Sequence, residues 1–194
     1  MNAISAEDLV RADYYAVLSR LFFAPPDETL LATLADAGNV TEQGALPAAW
    51  NALCAAAGTS SAESAKEEYD ALFVAIGKPR VVLYASWHLT GFMMEKPLAR
   101  LRDDLAELGL ARSAEILEPE DHFAALMDSM RHLLLDVSRS ESDRLALQQG
   151  FFSKHIATWH ENLCDAIDNQ PEARLYRGVA GFVRAFFAVE KVLR

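Results

Sequence analysis

Apolar positions recur with the α-helical period over nearly the whole chain. The most regular run follows residue 122. Phe123, Leu126, Met127, Met130, Leu133, Leu134 and Val137 share one face, as the core-facing stripe of a helix requires. Near the start, Ser5 and Asp8 form a capping-box-like opening for a helix to about Phe23, with Leu9, Tyr14, Val17, Leu18, Leu21 and Phe22 at helical spacing. Ala24-Pro25-Pro26 ends it, since the residue before a proline avoids the α region. Asp27 caps a second helix through Leu30, Leu31 and Leu34, which stops at Gly38-Asn39. Leu46 to Ala57 predicts a third. From about Ala62 the period returns through Tyr69, Leu72, Phe73 and Ile76 and breaks at Gly77-Lys78-Pro79-Arg80. Lys96-Pro97 opens a helix through Leu98, Leu101, Leu105 and Leu108 that ends at Gly109.

In the C-terminal third, Ser138 to Ser142 predicts a turn. A helix from about Asp143 carries Leu145, Leu147, Phe151 and Phe152, and either runs on or restarts through Ile156, Trp159, Leu163 and Ile167. Asn169-Gln170-Pro171 separates it from a last helix through Leu175, Tyr176, Val179, Phe182, Val183, Phe186 and Val189. Val81-Val82-Leu83-Tyr84 alone has strand character. It has no evident partner, and a lone strand is not stable, so an extended loop packed on helices is expected, leading into Ser86-Trp87-His88-Leu89. The whole predicts an all-α fold. It is read as a single globular helical domain over residues 1–194, with about eight to ten helices, a shared core and a hinge near 109–119.

Composition narrows the function classes. Of 194 residues, 18 are basic and 28 acidic, a net charge of −10. That excludes a nucleic-acid binder built on a basic face and suits a cationic partner such as an arginine-bearing peptide. Cys54 and Cys164 lack CxxC spacing and predict buried reduced thiols rather than a disulfide framework. The first residues carry no basic, apolar secretory pattern, and no stretch reaches the ~18 apolar residues of a membrane span. A cytoplasmic protein without membrane insertion is expected.

Catalytic chemistry is not evident. His160-Glu161-Asn162-Leu163-Cys164 imitates HExxH with cysteine in the last place, and two ligands at i, i+4 could face one metal. No third ligand is identifiable, so Cys164 is read as core and His160 as surface. Gly77-Lys78 lacks the upstream glycine of a phosphate loop. Glu118-Pro119-Glu120-Asp121-His122 is the richest cluster. Proline suits the first position of a helix and acids suit its positive end, so Pro119 is expected to start the regular helix and Glu118 to cap it. A metal- or nucleotide-dependent hydrolase and a general helical adaptor stay open as alternatives.

Three segments together resemble the TorD/DmsD/NarJ-like chaperones of redox enzymes. Glu-Tyr-Asp-Ala-Leu-Phe at 68–73, followed by Pro79 and Leu83-Tyr84-Ala85-Ser86, is similar to the family's first signature. Glu118 to His122 is similar to its E-P-x-D-H motif. Phe152-Ser153-Lys154-His155-Ile156-Ala157-Thr158-Trp159 is similar to its F-x-x-H-[LI]-x-x-W segment. Ala85 and Trp87-His88 depart from the usual residues. The resemblance implies an all-helical chaperone that is not an enzyme, and no cofactor or metal is expected. It implies binding of the N-terminal signal, typically twin-arginine, and of the apo form of a molybdenum oxidoreductase subunit, with help in cofactor insertion and a delay of export. The implied signal-binding residues are Glu118, Pro119, Asp121, His122, Leu72, Phe73, Tyr84 and Ser86. The implied assembly is a monomer or a domain-swapped dimer. Carboxylates for guanidinium groups beside an apolar groove suit such a signal.

Overall fold

The computed structural model describes residues 3–111 and 117–192. Ten helices occupy these residues: α1 (Ala6–Phe23), α2 (Glu28–Asp36), α3 (Ala45–Gly58), α4 (Ala62–Phe73), α5 (Ala85–Thr90), α6 (Lys96–Glu107), α7 (Phe123–Leu135), α8 (Glu141–His155), α9 (His160–Asp168) and α10 (Leu175–Val192). Among the described residues there is no strand; one isolated antiparallel bridge joins Tyr84 and His122. The all-α expectation therefore holds. By its contacts the chain clusters into two compact units that interleave in sequence: residues 1–22 with 83–159, and 23–82 with 160–194. Part of the hinge expected near 109–119 lies outside the described residues, at 112–116.

The first unit holds α5 to α8 and nearly all of α1. Ser5 accepts the Asp8 N–H at 3.0 Å, the cap that the sequence predicts. α7 and α8 pack together, as do α5 and α6. At the centre, Phe123 meets Phe22 edge-on at 4.7 Å and Trp159 edge-on at 5.7 Å between ring centroids. The Trp159 indole N–H donates to the His155 carbonyl at 2.7 Å, which fixes the chain where α8 ends. Arg11 of α1 donates to Gln148 of α8 at 3.1 Å.

The second unit is built around α10, which packs on α3, α9 and α4, with α2 against α3. Gly178 lets α10 approach α3 closely: a Cβ there would lie 3.4 Å from the Leu53 Cα and 3.5 Å from the Ala56 Cβ. Trp50 and Phe182 meet edge-on at 5.1 Å across the same contact. Asp27 accepts the Leu30 N–H at 2.8 Å and caps α2 as predicted. The first turn of α10 is closed from elsewhere. Buried Glu68 of α4 accepts the N–H groups of Arg174 and Tyr176 at 2.8 Å and of Leu175 at 3.1 Å. A carboxylate here satisfies three otherwise orphaned donors at the positive end of the helix.

Several boundaries differ from expectation. α4 stops at Phe73, so Ile76 lies beyond the helix and is exposed. Val137 likewise follows the end of α7 and is exposed. α8 begins at Glu141 because Ser140 accepts the Asp143 N–H at 3.2 Å. Of the two readings of 143–167, the break and restart is the one found, between α8 and α9.

Candidate functional site

Residues 118–122 form a turn, not the first turn of a helix. Pro119 does not start α7. The helix begins at Phe123, and His122 is its N-cap: its backbone is extended (φ −63°, ψ 137°), and its ring Nδ1 accepts the Ala124 N–H at 3.2 Å. Glu118 therefore does not cap the helix. The turn is pinned by the strand-like segment of the sequence. Ala85 N–H donates to the Asp121 carbonyl at 3.0 Å, and Phe123 N–H donates to the Leu83 carbonyl at 2.8 Å. Two distant motifs thus pair over one bridge, which gives the Val81–Tyr84 stretch the partner that the sequence did not reveal.

Side chains reinforce the pairing. Asp121 is 1% exposed. Its Oδ2 accepts the Ser86 N–H at 2.9 Å and the Ser86 hydroxyl, tying the turn to the first residues of α5. Its Oδ1 is buried and has no hydrogen-bond partner. The Tyr84 hydroxyl donates to exposed Glu118, and the Tyr84 ring stands edge-on to His122 at 5.1 Å. Glu120 accepts from Arg102 Nε at 2.9 Å and Nη2 at 2.8 Å. Burial lowers the His122 pKa against the opposing charges of Glu118 and Asp121. The capping bond itself needs a bare Nδ1, so neutral His122 is the form that fits.

A cavity of about 460 Å³ opens beside Asp121, among α5, α6, α7 and α8. Leu89, Leu101 and Leu126 give it apolar walls, and Asp104, Asp121, Lys154 and His155 line it as well. His155 Nε2 lies 2.7 Å from Asp104 Oδ2, and Lys154 Nζ lies 3.2 and 3.3 Å from the two Asp104 oxygens. Burial pushes the Asp104 carboxyl up, but the hydrogen bonds and charges of His155 and Lys154 outweigh it and hold the pKa below its ordinary value. Burial lowers the His155 pKa despite Asp104. A neutral His155 donating to an ionised Asp104 follows from both directions.

Six of the eight expected site residues, Tyr84, Ser86, Glu118, Pro119, Asp121 and His122, meet in the first unit. Leu72 and Phe73 belong to the second. Leu72 is fully buried there, and its carbonyl accepts the Val81 N–H at 2.9 Å. Phe73 is half-buried between Tyr69 and Tyr176, at 5.1 and 4.8 Å. Asp104, Lys154 and the cavity were not singled out by sequence; His155 was, as part of the third segment. His160 is not a surface residue. It is fully buried, edge-on to Phe187 at 5.2 Å, and Cys164 is buried as expected. Burial pushes the Cys164 thiol up to about 12 and the Cys54 thiol up to about 11, which makes neither a ready nucleophile or ligand. Among the described residues no group of three histidine, cysteine or acidic side chains could hold a metal ion. No helix among them is long and apolar enough to cross a membrane.

Comparison with known proteins fixes the family. The chain belongs to the nitrate reductase delta subunit family, whose model matches residues 41–165 and so spans all three quoted segments. This bears out the resemblance read from sequence. A chaperone protein TorD of Vibrio cholerae is 28% identical over 126 residues, 62% of this chain. The chain matches 57% of that relative's length, under two thirds. A chaperone protein TorD of Aliivibrio fischeri is 24% identical over 210 residues, covering 98% of this chain and 97% of the relative. The fold is similar to that of an Archaeoglobus fulgidus protein assigned to redox enzyme maturation, with a TM-score of 0.59 over 90% of this chain and 92% of that one. At 18% identity that likeness concerns the fold alone.

Proposed function

We propose that this protein is a cytoplasmic, non-enzymatic maturation chaperone. It binds the N-terminal signal of a molybdenum-containing oxidoreductase subunit, typically a twin-arginine signal, and holds the apo subunit back from export while its cofactor is inserted. The observation that carries the reading is the pinned turn at 118–122. Its carboxylates and Tyr84 are held by the bridge to residues 83–85, where Glu118 is exposed and Tyr84 half-exposed. Family membership and the relatives named as chaperones support it. So does the net charge of −10, which favours encounter with a basic peptide. Within the surface, Glu118 and Tyr84 meet the peptide, Pro119 shapes the turn, and Asp121, Ser86 and His122 hold it rigid behind.

The test is fluorescence anisotropy with a labelled synthetic peptide carrying the twin-arginine signal of a molybdenum oxidoreductase of the same genome. Saturable binding is expected, lost when both arginines become glutamine. Glu118→Ala is expected to weaken it about tenfold, the order of one charge-assisted contact. Binding that is insensitive to the arginines, or no binding to any such signal, overturns the reading.

A further inference from the structure

Helix α6 carries its exposed charges the wrong way round for its own dipole. Lys96 and Arg100 stand toward its N-terminus and Asp103 and Glu107 toward its C-terminus, with no acid in the first turn and no base in the last. Glu95 at the N-cap makes no capping bond with its side chain. A helix favours anions at its N-terminus and cations at its C-terminus, so this order does not serve α6 itself. Spacings of 4, 3 and 4 residues put the four side chains on one stripe of the helix, and all four are exposed. The other charges of α6 are engaged within the unit: Arg102 on Glu120, and Asp104 on His155 and Lys154. The opposite face, through Leu98, Leu101 and Leu105, is buried. At the N-terminal end of the stripe, the loop from α5 exposes Phe92 (68%) and Met94 (71%). Thr90 fixes that loop: its hydroxyl donates to the Ser86 carbonyl at 2.8 Å and accepts the Phe92 N–H at 3.2 Å. At the C-terminal end a cavity of about 210 Å³ opens beside Leu108, Leu147 and Phe151.

We propose that α6 is the centre of an interface with a second copy of this chain, the two helices running antiparallel about a two-fold axis. An axis between residues 101 and 102 sets Lys96 opposite the partner's Glu107 and Arg100 opposite the partner's Asp103, and the symmetry repeats both pairs. Each basic half of α6 then meets the acidic half and C-terminal end of the other helix, which gives the inverted charge order its use. The same register brings Phe92 and Met94 of one copy to the end of the other helix where the apolar cavity opens, and flexible methionines fit irregular apolar gaps. A two-fold contact requires one surface to complement itself. A stripe that is basic at one end and acidic at the other does so only antiparallel, because a parallel pair sets like against like. A purely basic or purely acidic partner is the poorer occupant, since it answers half of the stripe and is repelled by the rest. Exposed ion pairs contribute little each, and the net charge of −10 opposes self-association, so the pair is weak and reversible. No element is exchanged in it, unlike the swapped dimer that the resemblance implies.

Sedimentation equilibrium of the full chain tests this. A monomer–dimer equilibrium is expected, weakened by raised salt. The paired substitutions Lys96→Glu with Arg100→Glu, and separately Asp103→Lys with Glu107→Lys, are each expected to weaken it about tenfold or more, since like charges then face each other. Mixed together, the two variants should pair with each other at least as tightly as wild type pairs with itself. That recovery separates specific pairing from a general change of charge or a loss of folding. A second arm uses a carbodiimide, which joins a lysine to a carboxylate without a spacer. Lys96 and Glu107 of one copy lie about 16 Å apart along α6, too far to be joined directly, so a Lys96–Glu107 link found by mass spectrometry joins two copies. A chain that stays monomeric up to about 0.5 mM overturns the proposal. So does an association that neither pair of substitutions weakens, or a mixture that does not recover it. A dimer that fails to dissociate on dilution and lacks the Lys96–Glu107 link, the mark of exchanged elements, overturns it as well.

Discussion

Two buried carboxylates perform the same structural task in this molecule, one in each unit, and they are not equally satisfied. Glu68 reaches from α4 to the start of α10 and accepts three backbone N–H groups with its two oxygens. Asp121 reaches from the turn before α7 to the start of α5 and accepts from Ser86 twice, through Oδ2 only. Glu68 is saturated; Asp121 keeps Oδ1 without a partner and lines a cavity. Desolvating an acceptor without giving it a donor is costly. The difference separates a carboxylate that spends both oxygens on backbone donors from one that spends a single oxygen.

The largest effect is expected at Glu68. Glu68→Ala strands three buried donors at the positive end of α10, and a loss of about 3 kcal/mol or more is expected in urea-induced unfolding. A variant within about 0.5 kcal/mol of wild type would break the likeness between the two sites, since the cap would then contribute little. Asp121→Asn should cost less, about 1 kcal/mol, because the amide oxygen can still take both Ser86 donors. Its effect should fall on binding: tenfold or more weaker for the signal peptide. A stability loss equal to that of Glu68→Ala with unchanged peptide affinity would make Asp121 a second structural cap and nothing more.

Much of this architecture is legible in the chain, and the gaps have one cause. Ser5, Asp27 and the separate apolar faces of α7 and of α10 depend on neighbours within a turn or two, so spacing reveals them. α5 is six residues long, too short for the period to show, and is held by a side chain 35 positions away. The start of α7 was misplaced for the same reason. Pro119 and the acids around it imitate a helix start, while the bridge to Leu83 and Ala85 holds those residues in a turn and leaves His122 as the cap. Glu68 stood within a recognised signature without any local sign that its partners are at 174–176. His160 was read as surface because a polar residue in an amphipathic stretch is usually outside, yet it packs on Phe187. The motif at 118–122 was visible at once. What each residue does within it was not, because Asp121, the most suggestive charge, is spent largely on Ser86.

The smallest effect sharpens the comparison through pH. Near Glu68, Tyr176 is pushed well above its ordinary pKa by burial and stays neutral throughout the range of interest. Near Asp121, His122 and His155 are both lowered by burial. A histidine whose folded pKa lies below its unfolded value of about 6.5 takes up protons more readily when unfolded. Its stabilising contribution is therefore complete above that value and is lost as pH falls through it toward the folded pKa. Asp104, lowered as a carboxyl, adds its own loss only in more acidic solution. The urea midpoint is expected to drop from pH 7.5 to 5.5. His122→Asn separates the cause, because asparagine is among the best N-caps and does not titrate. The variant should stay close to wild type at pH 5.5 while showing a shallower fall between the two values. If the fall is as steep as in wild type, protonation of the His122 cap is not what weakens this site, and the pH response belongs to His155 and its bond to Asp104.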